Sequence, residues 1–183
     1  MSAKKRKKIP SPSNNNVSNF SIVKQQTRLP YTDFSFCSNY PWLSSVNLLK
    51  QHGFTNFHFN PQKCVEDMVL IIHEIIPFLH KNNAEIFKYG KYEHCHVVDK
   101  NKINLCNTIL KIVTNHSSEQ IIDESCTWWQ IGIKQGVRLV GIYNSNTKTF
   151  YPIFVDWHHL LHPSVKFNHL DYSNCKYNPT KKP

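Results

Sequence analysis

The chain has 183 residues, 40% of them hydrophobic and 19% charged, with a formal net charge of +10. That length holds one domain with terminal extensions, and no run of about 18 apolar residues occurs that would span a bilayer. The longest apolar stretch, residues 68–79, is interrupted by His73, Glu74 and Pro77.

The basic start is followed by Ser11, Pro12, Ser13 and Asn14 rather than an apolar core, so it does not read as a secretory signal. A cytoplasmic setting is expected, in which Cys37, Cys64, Cys95, Cys106, Cys126 and Cys175 stay reduced. None of them forms a Cys-x-x-Cys pair, which speaks against a zinc ribbon or a redox motif. The excess charge is local. Lys4, Lys5, Arg6, Lys7, Lys8, Lys24 and Arg28 occur in residues 1–28 without an acid, whereas basic and acidic residues balance over 29–175. Residues 1–28, with Pro10, Pro12 and three consecutive asparagines, carry too little apolar surface to offset ordering entropy. They are expected to form a disordered basic tail that attracts RNA or another polyanion by counterion release, through Lys4 to Lys8 in particular. The same run also suits nuclear import or plain solubility. Residues 171–183, with Lys176, Lys181 and Lys182, are expected to form a second flexible basic tail. Residues 29–170 between them are left as one domain.

In chain order, Phe34, Phe36, Tyr40 and Trp42 mark the start of packed structure, and residues 54–59 alternate enough for a strand. Asn60 and Pro61 open the best helix, as an N-cap followed by a first-position proline. Val65, Met68, Val69, Ile72, Ile75, Ile76 and Leu79 recur at helical spacing and are expected to face the core, with Glu66, Asp67 and Glu74 near the opposite side. Pro77 should kink or end that helix. A second helix is expected over 103–113. Residues 127–133, 137–143 and 150–156, separated by turns at Gly136 and at 144–147, read as an antiparallel meander. Pro152 favours an edge position for the last strand or a place in its first turn. Helices first and a meander after them predict an α+β fold, the N-terminal helices packed on one face of a C-terminal antiparallel sheet.

Four groups of residues carry chemistry. Arg138 is the only arginine between 29 and 175, and its planar fork suits phosphate if it points to an open sheet face. An ion pair with Asp156 is the bland alternative. Asp156, His158, His159 and His162 follow directly on the last strand, and histidine moves protons near neutrality. His94 and His96 would share one side of a strand, where His162 or His158 with Asp156 would complete a metal site. Trp129 and Tyr143, with their aromatic neighbours, would stack unpaired bases from an exposed sheet face.

The segment from Trp128 through Arg138 and Tyr143 to Phe150 and the Asp156-x-x-His159 spacing resembles the closing meander of the RelE/ParE-like toxin superfamily, over roughly residues 54–165. The resemblance implies a RelE-like fold and metal-independent cleavage of messenger RNA on the ribosome, with no cofactor and with an antitoxin as protein partner. Arg138 would then stabilise the phosphorane, and His159 or His158 would transfer protons. Two other readings stand beside it: a non-catalytic nucleic-acid- or partner-binding module of the same fold, and a metal-dependent hydrolase built on His94, His96 and the 156–162 segment.

Overall fold

The computed structural model describes residues 33–134, 136–163 and 171–181. The basic run at Lys4, Lys5, Arg6, Lys7 and Lys8, and the expected tail over 1–28, lie outside the described residues.

Three long strands form the expected meander: β5 (Cys126–Ile131), β6 (Arg138–Asn144) and β7 (Thr149–Asp156). They pair antiparallel, with Trp128 opposite Ile142 and Leu139 opposite Val155. Two short strands extend them. β1 (Ser35–Phe36) runs parallel beside β7, and β4 (His96–Val97) runs antiparallel beside β5. The sheet order is therefore β1-β7-β6-β5-β4, and the sheet is mixed. β7 is consequently not a free edge, but Pro152 escapes the difficulty. It lies beyond the two residues that β1 covers, where a bulge between Val140 and Gly141 shifts the register. Gly141 opposite it has no room for a Cβ, which would run into Tyr151 O and the Phe150 ring. Residues 54–59 give only β3 (Phe54–Thr55), which pairs with β2 (Asn47–Leu48) in a separate ladder, the four-residue helix α1 (Leu49–His52) lying between them.

Helices cover both faces of the sheet, not one. α4 (Ile103–Thr114) packs Cys106, Ile109 and Leu110 against Trp128, Val140, Ile142 and Phe154. Leu70, Ile71, Ile75, Leu79 and Ile86 pack against Trp129, Ile131, Leu139 and Val155. Neighbouring strand residues thus enter different clusters: Trp128 and Trp129, Leu139 and Val140, Phe154 and Val155. Strands that are apolar on both sides need cover on both sides. A further short helix, α5 (Ser118–Ile121), follows α4.

The long helix begins as expected. In α2 (Pro61–Leu70) the Asn60 side chain accepts a bond from Lys63 N at 2.8 Å, with Pro61 in the first turn. Its buried side is rotated from the expected one. Cys64, Asp67 and Leu70 face inward, while Val65, Val69 and Ile72 are 62%, 49% and 52% exposed. Pro77 neither ends nor interrupts the rod. A π-helical turn (Ile71–Ile75) widens the helix, Ile76 N–H bonding Ile71 O five residues back, and α3 (Ile76–Tyr89) continues. The wider turn accommodates a ring that has no N–H to donate and would clash with a carbonyl in a regular helix. Inside α3, Asn82 leaves helical geometry and its Nδ2 bonds Phe78 O at 2.8 Å.

The C-terminal stretch is packed rather than trailing. A 3₁₀ turn (Tyr172–Asn174) leads to buried Cys175, and Tyr177 exchanges two backbone hydrogen bonds of 2.9 Å with His58.

Candidate functional site

Arg138 begins β6, opposite Asp156 on β7, and is 3% exposed. Its guanidinium lies over Gly132, where a Cβ would come within 2.7 Å of Arg138 Cδ. Nη1 donates to Val137 O at 2.9 Å, and Nη2 meets His94 Nδ1 at 3.5 Å. Burial pushes its pKa down, and the charge of Asp156 works against that. The expected open-face arginine is thus an interior one. Asp156, fully buried, does not orient a histidine ring. Its carboxylate accepts from the backbone N–H groups of His158, Leu160 and Leu161 at 3.2, 2.9 and 2.7 Å, and so shapes the turn after β7.

That turn separates the histidines. His159 adopts a left-handed backbone (φ 58°) and its Nδ1 lies 2.6 Å from His162 O. The rings of His162 and His96 meet at 5.3 Å, His162 Nδ1 lies 3.4 Å from Asp99 Oδ2, and Gln130 Nε2 approaches His96 Nε2 at 3.3 Å. His96 therefore joins the 156–162 segment, while His94 turns to Arg138. Among the described residues, no three His, Cys, Asp or Glu side chains converge as metal ligands. Trp129 is buried edge-on against Phe87, and Tyr143 stacks flat on Phe87 at 3.8 Å. Both pack against the side of the sheet that α3 covers, Trp129 buried and Tyr143 partly so, and neither stands on an open sheet face.

His158 goes elsewhere, to a cleft of about 570 Å³ beside the start of α2. Phe59, Lys63, Asp67, Trp157, His158 and Tyr172 line it. They arrive on separate supports: Phe59 just before α2, Lys63 and Asp67 one turn apart on α2, Trp157 and His158 just past β7, and Tyr172 on the 3₁₀ turn. His158 Nε2 sits 2.7 Å from Phe57 O, which fixes Nε2 as the protonated nitrogen in the neutral ring. The His158 ring lies 5.0 Å from Tyr172 and 6.0 Å from Phe59.

The polar end of the cleft is an ion pair with incomplete bonding. Lys63 Nζ lies 2.7 Å from Asp67 Oδ1, the lysine 45% exposed and the aspartate 2%. Asp67 Oδ2 has no hydrogen-bond partner, and its approach to His58 Nδ1 is 3.7 Å. His58 is fully buried against Trp157, and neither of its ring nitrogens is hydrogen-bonded. Burial raises the Asp67 pKa, opposed by Lys63. Burial lowers His58 to about 4, with His158 and Lys63 adding to the effect. Native interiors seldom leave polar atoms unsatisfied, so the Asp67–His58 neighbourhood behind the cleft is the part of the site whose polar groups are least well matched.

Sequence reasoning missed Asp67, Lys63, His58 and Tyr172. One signal was present: Asp67 shares helical phase with Cys64, Leu70 and Ile71, and Lys63 stands four residues before it.

Fold and site together describe a mixed α+β protein with a two-sided mixed sheet and an aromatic cleft at one helix start. The chain belongs to the family described as uncharacterised protein UU032, whose model matches residues 38–183. That span includes the whole cleft and leaves out the basic N-terminal run. A curated relative, the uncharacterized protein UU032 of Ureaplasma parvum serovar 3, is 22% identical over 133 residues, 72% of either chain. No solved structure matches the chain significantly. Among the described residues, no helix is long and apolar enough to cross a membrane.

Proposed function

We propose that this protein binds nucleic acid and holds one unpaired nucleotide in the cleft beside α2. One observation carries the reading: aromatic side chains and an exposed lysine share a single open cavity of ligand size. A base lying against one of these rings gains roughly 1–3 kcal/mol by stacking, and the Lys63 ammonium is placed for a phosphate. The basic excess of residues 1–28 adds attraction that does not depend on sequence. Fluorescence anisotropy with a labelled single-stranded oligonucleotide tests this. Tyr172→Ala and Lys63→Ala should each weaken binding roughly 5- to 100-fold, with unchanged circular dichroism. Wild-type affinity in both variants rules the cleft out.

Metal-independent RNA cleavage, the activity implied by the RelE/ParE resemblance, is a second reading at the same place. What favours it is His158, whose tautomer is set by Phe57 O, beside a lysine cation. Its site is then Lys63 and His158, because a buried Arg138 cannot reach a phosphodiester. Labelled RNA that stays intact on incubation with chelator and protein removes this reading and leaves binding.

A further inference from the structure

The carboxylate of Asp67 has one oxygen taken and one left over. Lys63 Nζ holds Oδ1 at 2.7 Å, while Oδ2 lacks any hydrogen bond and its neighbour His58 stops at 3.7 Å. A carboxylate oxygen this deeply buried is stabilised most by an N–H donor. Lys63 is half-exposed and free to exchange partners. When it turns to a phosphate, Oδ1, the oxygen that Lys63 covered, is left to a donor brought by the ligand, while Oδ2 stays closed off from solvent on the His58 side.

Resting on the nucleotide-binding reading above, we infer that Asp67 makes the cleft selective for bases with an exocyclic amino group, cytosine being favoured over uracil. The amino group of cytosine offers two N–H donors at the edge of the ring. Uracil has a carbonyl at that position, and its one ring N–H is flanked by two carbonyls, so its edge sets oxygen against oxygen at Asp67. The two pyrimidines are alike in size and nearly alike in stacking, which isolates the hydrogen-bonding difference. A bound nucleotide thus replaces one ion pair inside the protein by two contacts, phosphate to Lys63 and amino group to Asp67.

Competition anisotropy with oligocytidylate and oligouridylate of equal length reads this directly. Wild-type protein should prefer oligocytidylate about tenfold or more. Asp67→Asn, whose amide can face either base, should bring the ratio close to one. Oligomers of N4,N4-dimethylcytidine, which lack the amino hydrogens, should bind wild-type protein no better than oligouridylate, and this arm needs no variant to fold. Equal wild-type affinity for the two pyrimidines overturns the role of Asp67 and leaves the cleft as a binding site. So does a preference that survives in Asp67→Asn or with the dimethylated base. Absence of binding to every oligomer overturns the nucleotide reading itself.

Discussion

Arg138 and Asp156 face each other across β6 and β7, both inside the protein. Removing the buried arginine leaves a void over Gly132 and takes away the attraction between the two charges, at a cost of roughly 2–5 kcal/mol. Arg138→Ala should therefore lower stability by that amount in urea denaturation, while the folded fraction keeps wild-type oligonucleotide affinity. Affinity lost in proportion to the arginine, with stability intact, would return the site to β6. Nothing in the primary structure separates a buried guanidinium from an exposed one on the same strand. What distinguishes them is Gly132, which leaves room for the side chain to lie across it. That room exists only once β5 and β6 are paired.

At the scale of elements, the start of α2 was legible because capping is local. Asn60 and Pro61 act within one turn of themselves. The direction the helix faces was not legible, because the segment carries two apolar stripes, one through Val65, Val69 and Ile72 and one through Cys64, Leu70 and Ile71, and periodicity cannot choose between them. Val65, Val69 and Ile72 form a stripe that fits the helical repeat as well as the true inner side does, yet they are exposed. Val69→Lys should change stability by less than about 0.5 kcal/mol, whereas Ile71→Ala, at a 1% exposed position, should cost roughly 2–5 kcal/mol. Thermal melts of the two variants decide the phase; comparable losses in both would mean that the stripe is covered. The inward turn of Asp67, and with it the cleft, is a consequence of the same rotation.

For the whole molecule, the buried titratable groups set how stability depends on pH. The His58 pKa falls from 6.5 to about 4 on folding. Between those values the unfolded chain holds a proton that the folded one does not, so stability rises with pH across that window and is lost as pH drops through it. The full span corresponds to roughly 3 kcal/mol as an upper bound. His162, also lowered by burial, acts with the same sign. Asp67 acts oppositely, because its raised value makes the folded chain bind the extra proton above 3.8, offsetting part of the loss. Stability measured by denaturant titration should therefore decline from pH 6.5 towards 4.5, and His58→Phe should flatten the decline. An unchanged slope in that variant assigns the effect to other groups.

Residues close in sequence settled the meander, the Asn60 cap, α4 and the absence of a bilayer-spanning run, since turns, caps and hydrophobic runs act within a few positions of one another. The number of covered faces was not settled that way: the single helical layer expected gave way to helices on both faces, which the strands' unbroken apolar runs permit. Which side of α2 turns inward, where Arg138 is housed, and how Lys63, Asp67, His158 and Tyr172 come to surround one cleft depended on contacts between residues as much as a hundred or more positions apart. Such contacts leave no local pattern, because burial belongs to the assembled layers and not to any one of them.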